Sequence, residues 1–330
     1  MKIFKAEPSA WDYFHSDVIG GFDRFFIQRK QQDTGFYRMM FDEDFSRLFR
    51  SMAYPGDDLF NLASNDNELT QNLLSNVRTN YSQGSFDEII SELVEEIAQS
   101  LIYTGIAYYF LYDGIEKDKT HIAALSSIGV TRVCGMYIQW VPKRKESHWE
   151  RGDEELPREI RILDKAKVMR FILPKSIKRM LFAQNKTLSV LDRYKFRDTD
   201  LNVLATYENP NPINHFDFGV WRDIQERALY ISTRTTGWNG RMHDSSKRSD
   251  FFDCHRLIRF RRNQITLRDS ILKQLSTELS RVGRLYREDF SVDISATDRL
   301  LSITLLNDLE LRLKREEVGF NEIIEYCYKR

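Results

Sequence analysis

From Phe86 onward the apolar positions fall three and four residues apart: Phe86, Ile89, Ile90, Leu93, Val94, Ile97 and Leu101. That spacing draws one stripe along a helix, and Glu88, Glu92, Glu95 and Glu96 fall off it. Ser85-Phe86-Asp87-Glu88 reads as a capping box, in which the serine accepts from an early amide and the glutamate reaches back to the cap. Gly105 supplies a stop, because glycine adopts the left-handed conformation that ends helices. The period then changes. Ile106-Ala107-Tyr108-Tyr109-Phe110-Leu111-Tyr112 is rich in aromatic residues and closes on Asp113-Gly114, which predicts a strand and a turn. A second strand is predicted over 130–141, bent at Gly135 and ended by Pro142, which cannot donate to a ladder. Two more are predicted over 160–163 and 168–173. The charged run between Lys143 and Arg158 predicts a solvated hairpin tip or a loop.

Asn209-Pro210-Asn211-Pro212 is the strongest punctuation in the chain, since Asn-Pro pairs start turns and disfavour helix. Beyond it, helices are predicted over 221–233, 266–287, 296–315 and 320–328, with a loop over 235–253 and a short strand from Phe290 to Ile294. The longest has Ile271, Leu275, Leu279, Val282 and Tyr286 on one stripe and a favourable Asp269–Lys273 pair one turn apart. The predicted class is α+β: mostly helical, with a small mixed or antiparallel sheet and long helices in the C-terminal part. Two domains are expected, an α+β domain over 1–209 and a helical, basic region over 210–330.

Composition narrows this further. Of 330 residues, 42% are hydrophobic and 30% charged, which fits a globular chain and excludes wholesale disorder. Only 15 Gly and 7 Pro speak against collagen-like or turn-rich all-β architectures. Lys plus Arg equals Asp plus Glu at 49 each, so no global charge points to a polyanion or a membrane. The charge is unevenly placed, however. Residues 31–100 carry 13 acidic and 4 basic side chains, a net of −9, whereas residues 222–287 carry 15 basic and 7 acidic, a net of +8. Cys134, Cys254 and Cys327 lie far apart, which fits a reducing compartment better than a disulfide framework. The first residues lack the apolar core of a secretory signal. The most apolar stretch, Leu101 to Tyr112, is shorter than the roughly 18 residues of a membrane helix, so no membrane partner is expected.

Catalytic signatures are missing from the string. There is no Walker A phosphate loop, His-Glu-x-x-His, Cys-x-x-Cys, Gly-x-Ser-x-Gly, or carboxylate two residues before a lysine. Asp253-Cys254-His255 and His243-Asp244 bring metal-ligand types within a dozen residues, but a zinc site needs three or four ligands. No second Cys or helically spaced His pair stands nearby, so they read as a buried Cys and a surface His. No enzyme activity, catalytic residue, metal or cofactor is expected. The basic cluster is the stronger candidate. Arg256, Arg259, Arg261 and Arg262 fall within seven residues, interleaved with Leu257, Ile258 and Phe260. Lys247 and Arg248 precede them, and Arg281, Arg284 and Arg287 follow at a spacing of three. These nine positions form the candidate nucleic-acid-binding set, since a positive face can track phosphates. Docking of the acidic part of the chain, within or between subunits, is the first alternative for them, and a solvated face the last.

Three segments together give the chain a likeness to a known family. One is the acidic helix that ends in Gly before an aromatic strand, Ser91 to Leu111. The second is the strand pair from Ile160 to Pro174. The third is the long helix from Gln264 to Leu279, followed by Phe290-Ser291-Val292-Asp293-Ile294 and Gly319-Phe320-Asn321-Glu322. In this order they resemble phage portal proteins, the head–tail connectors of tailed phages. The resemblance implies a homo-oligomeric ring, usually of about twelve subunits, around a channel for double-stranded DNA, with capsid and tail or adaptor proteins as partners. It places the chain in a virion, assembled in the host cytoplasm. The wing would run from Met1 to Asn209, the stem helices over 221–233 and 266–287, and the clip side from Gly237 to Asp253. The chain departs from the family in its short length and small clip, and family channels are often acidic. Two other classes stay open. One is a nucleic-acid-binding or nucleolytic subunit of a prokaryotic defence system, with Asp244, Asp253 and His255 as the metal-compatible groups. The other is an adaptor whose basic face docks an acidic protein.

Overall fold

A computed structural model of the chain describes residues 2–5, 7–9, 22–23, 26–27, 35–49, 58–78, 85–112, 120–148, 152–208, 218–240 and 250–329. Among these residues the elements run β1 (Lys2–Lys5), α1 (Phe36–Ser46), β2 (Phe60–Ser64), α2 (Asn67–Ser75), β3 (Val77–Arg78), α3 (Phe86–Thr104), β4 (Ile106–Tyr112) and β5 (His121–Leu125). They continue with β6 (Val130–Val133), β7 (Met136–Val141), β8 (Arg144–His148), β9 (Gly152–Leu156), β10 (Glu159–Leu163), β11 (Val168–Ile172) and α4 (Lys175–Glu208). The C-terminal elements are α5 (Phe218–Ser232), α6 (Asp250–Gly283), β12 (Val292–Ala296), α7 (Ile303–Lys314) and α8 (Phe320–Lys329). The class is α+β. The chain divides into two units, each drawn from three segments. The first comprises Met1–Gln32, Ala53–Leu173 and Asp269–Thr297, and the second Asp33–Met52, Pro174–Arg268 and Asp298–Arg330. The division therefore crosses the chain several times. The Asn209–Pro212 punctuation lies outside the described residues.

The first unit holds all the described strands. One sheet has the order β1-β10-β7-β6 and another β11-β4-β5-β3, while β12-β2 and β8-β9 form two-stranded ladders. The entry into the second sheet follows the sequence closely. Ser85 and Glu88 make the reciprocal capping box, with the Ser85 N–H donating to Glu88 Oε2 at 2.8 Å. Gly105 ends α3 at φ +84°, a left-handed angle that costs a side chain free energy and glycine little. The stripe of α3 buries Ile90, Leu93, Val94, Ile97 and Leu101, and β4 buries Tyr109, Phe110 and Leu111.

Two strand expectations change, and the alternatives left for the charged run resolve to a hairpin. The single bent strand over 130–141 is a hairpin, because Cys134 and Gly135 both take positive φ, 50° and 81°, as a two-residue turn between twisted strands requires. The charged run is the β8–β9 hairpin, with Arg144 opposite Leu156 and His148 opposite Gly152. The strands over 160–163 and 168–173 are neighbours in sequence but not partners. β10 pairs with β7 and, in parallel, with β1, whereas β11 pairs with β4. The far edge of β11 is closed by a side chain from α6: Gln274 Oε1 accepts from the Ile172 N–H at 2.8 Å, and its Nε2 donates to Ile172 O at 3.1 Å. Gln139 performs the same exchange with Ser9, at 2.7 and 3.0 Å.

The second unit is helical among the described residues. It takes α1, α4, α5, the first part of α6, α7 and α8. Its core joins Cys254, Ile258 and Ile265 of α6 to Leu306, Leu309 and Leu313 of α7 and Ile323 and Cys327 of α8. Helix α6 starts at Asp250 rather than Thr266, so the arginine-rich segment is helical. It also stops at Gly283, where the glycine lies against the buried Phe290 ring, so Arg284 and Arg287 sit in the turns beyond it. The predicted helix over 296–315 begins only at Ile303, capped by Ser302, because Val292–Ala296 is a strand paired with β2. Helix α4 answers to no predicted element. It buries Ile177, Leu181, Gln184, Leu188 and Asp192, a helical spacing with two polar members.

Buried polar groups tie α1 into this unit. Trp238 Nε1 donates to Asp44 Oδ2 at 2.8 Å, and Gln264 Nε2 donates to the carbonyls of Asp44 and Arg47, both at 2.9 Å, near the end of α1. The N-cap of α1 is Gly35, which has no side chain to give. Asp192 of α4 supplies the carboxylate instead, accepting from the Tyr37 N–H at 2.9 Å and the Arg38 N–H at 3.4 Å. Among the described residues no helix is long and apolar enough to cross a membrane.

Candidate functional site

Seven of the nine basic positions fall among the described residues, four in the second unit and three in the first. Lys247 and Arg248 lie outside the described residues, as do His243 and Asp244. In the second unit Arg256 is 7% exposed and Arg261 is 2% exposed. Arg256 joins the end of α5 to the segment that follows. Its Nη1 donates to Tyr230 O at 2.8 Å and its Nη2 to Thr233 Oγ1 at 2.7 Å and to Trp238 O. The guanidinium also lies 4.0 Å from the centre of the Tyr230 ring, a cation–π contact out of water. Arg261 Nη1 donates to Gln264 Oε1 at 2.8 Å and so orients the amide that closes α1. Arg262 binds Glu310 of α7 at 2.5 Å, and Lys314 approaches the same carboxylate at 3.3 Å. Arg259 is exposed and donates to Arg234 O at 2.9 Å.

In the first unit, Arg281 grips the turn between β10 and β11. It donates to the carbonyls of Ala166 at 2.7 Å and Val168 at 2.6 Å while pairing with Glu278 at 2.6 Å. Arg284 is exposed and donates to Phe290 O at 3.3 Å. Arg287 pairs with Asp66, the N-cap of α2, at 3.0 Å and with Asp289 at 2.7 Å. Most of these guanidiniums therefore meet backbone carbonyls or carboxylates of their own unit. Arginine suits that task, since its planar fork presents several donors in fixed directions.

The electrostatics follow the pairing. Glu310 is held below the ordinary carboxylate value, first by its hydrogen bond from Arg262 and then by Lys314. Its neighbour His255, with Nδ1 3.7 Å from Glu310, is held below 6.5 because burial outweighs that carboxylate. Asp66 is lowered by the Leu69 amide and by Arg287. Asp253 accepts from the Tyr230 hydroxyl at 3.3 Å, and Cys254 is buried with its Sγ 3.8 Å from Phe320 O. Among the described residues no three His, Cys, Asp or Glu side chains converge as a metal site.

Two surface features escaped the sequence reading. On α5, Ile224 and Ile231 are 62% and 61% exposed, while Leu229 on the other side is buried. On α4, Lys175, Lys178, Arg179 and Lys186 are all exposed, and Phe182 among them is 75% exposed. A signal for the second was present: residues 174–191 contain four cations and no carboxylate.

No protein family and no curated protein matches the chain. Among solved structures, a chain from the neck of an empty gene transfer agent particle computed with C6 symmetry is similar at 12% identity and a TM-score of 0.46, over 86% of each chain. A chain from the virion of a native gene transfer agent particle is similar at 11% identity and a TM-score of 0.42, over 87% of each. A chain from the neck of a native particle computed with C12 symmetry gives 11% and 0.41, over 86% of each.

Proposed function

We propose that the chain is a repeated structural subunit of a phage-type head–tail junction. In this reading it forms a portal-like ring around a channel for double-stranded DNA, contacts capsid and tail or adaptor proteins, and resides in the virion. The order of elements supports it: a capped acidic helix runs into an aromatic strand, small sheets follow, and long helices come after them. The observation that carries it is the α5 face. Ile224 and Ile231 stand two turns apart, roughly 10 Å along the axis, with most of their side chains in water. Burying an isoleucine is worth about 1.5–3 kcal/mol, so a pair on one face is a ready contact for another copy of the chain. Of the candidate DNA contacts, Arg259 and Arg284 are the described members with exposed positions and no carboxylate partner among the described residues.

Sedimentation of the purified protein tests the reading. The wild type is expected to run as a ring-sized assembly, and I224D/I231D as a folded monomer. A wild type that sediments at 39.2 kDa at micromolar concentration, with no ring in negative-stain images, overturns it.

A further inference from the structure

The first half of α4 carries a row of exposed cations with no ion-pair partner among the described residues. Its exposed side presents Lys175, Lys178, Arg179, Phe182, Lys186 and Val190. Successive residues turn by about 100°, so these six positions fall within roughly 120° of arc, and the opposite side buries Ile177, Leu181, Gln184 and Leu188. None of the four cations has an ion-pair partner among the described residues, in contrast to Arg262, Arg281 and Arg287. Their position also works against the local fold. The first turn of α4 has no acidic residue and three of the cations crowd the helix start, where the backbone dipole already favours negative charge. A positive helix end with added lysines and arginine is disfavoured in isolation and relieved when anions lie along it.

Phe182 narrows the anion's identity. It is the most exposed of the large exposed hydrophobic residues described, at 75%, and it stands in the middle of the row. The outside of an intact duplex offers phosphates and sugars and gives such a ring little to stack on. A single strand offers base faces beside its phosphates, and cations flanking an aromatic ring suit both. An acidic protein surface would satisfy the cations but not the ring.

We propose that this face of α4 binds single-stranded nucleic acid, with Lys175, Lys178, Arg179 and Lys186 on the phosphates and Phe182 stacked on a base. The inference goes beyond the ring reading and does not depend on it.

The test is fluorescence anisotropy with a labelled oligothymidylate, run on the full chain over a range of salt. Sedimentation is measured on the same samples, so that failure to assemble and failure to bind read out separately. Four phosphate contacts on a single strand predict a slope of about −2.8 in log affinity against log salt. The K175Q/K178Q/R179Q/K186Q variant is expected to bring that slope close to zero. F182A is expected to weaken binding by about 5- to 150-fold while leaving the slope unchanged, because stacking releases no counterions. All five side chains are exposed, so F182A should melt with the wild type, and the four-site variant, relieved of cations at the helix start, at or slightly above it. Three results overturn the proposal: no binding of the oligonucleotide, binding indifferent to F182A, or a preference for duplex DNA or polyglutamate over the single strand.

Discussion

Replacing Arg256 with methionine removes the guanidinium but keeps a flexible apolar side chain in its place. The wild-type group donates to Tyr230 O at 2.8 Å, to Thr233 Oγ1 at 2.7 Å and to Trp238 O, and it lies on the Tyr230 ring. Thr233 keeps a partner in R256M, because its hydroxyl also donates to Leu229 O at 2.8 Å. The two carbonyls lose their charged donor. An unsatisfied buried acceptor costs about 1–3 kcal/mol, and the lost cation–π contact adds about 1–2 kcal/mol. Against this, the variant no longer has to bury a charge, which recovers part of the loss. The balance is a destabilisation of about 3 kcal/mol. In domains of about 150–250 residues each kcal/mol moves Tm by about 2–4 °C, so the second unit should melt about 6–12 °C lower. Arg259 is the control: it is three residues away, exposed, and holds a single carbonyl. R259A should stay within about 0.5 kcal/mol of wild type. Urea unfolding followed by far-ultraviolet circular dichroism reads both. A loss below about 1 kcal/mol in R256M, or one no larger than in R259A, refutes the assignment of Arg256 to the fold.

Three further outcomes follow from the same contacts. Glu310 is held below its ordinary value of 4.5 in the folded state by Arg262 and Lys314, so its contribution is complete above that value and disappears as pH falls through the folded value; E310Q should flatten the acid limb of urea midpoints measured from about pH 6 to pH 3. Asp192 caps α1 from a different helix, and D192A should cost about 0.5–2 kcal/mol in urea unfolding, the usual worth of an N-cap. A methyl group at Gly283 would land on the buried Phe290 ring, so G283A should destabilise the first unit by about 1–3 kcal/mol, with F290L restoring part of the loss in a double-mutant cycle.

What the sequence disclosed was local. The capping box at Ser85, the stop at Gly105 and the aromatic strand after it depend on residues within a few positions of one another. Elements whose stability is long-range were harder to read. Strand β2 forms because β12, more than two hundred residues later, lies against it. Helix α4 buries Gln184 and Asp192 among its apolar positions, so its stripe is interrupted in the string. The first half of α6 was hidden for the same reason: Arg256, Arg261 and Arg268 occupy buried positions where the period demands apolar residues. The candidate site suffered from this most directly. The string shows that arginines cluster, but whether a guanidinium turns toward water depends on acceptors such as Tyr230 O, Trp238 O and Gln264 Oε1, which the fold brings to it.

The account rests on self-assembly, and the most direct measurement is sedimentation velocity of the full chain across micromolar concentrations, paired with negative-stain class averages. A rotationally symmetric ring with a central opening, lost in I224D/I231D without loss of helical signal, is the expected result. A single species of 39.2 kDa at every concentration, with no ring on the grid, contradicts it.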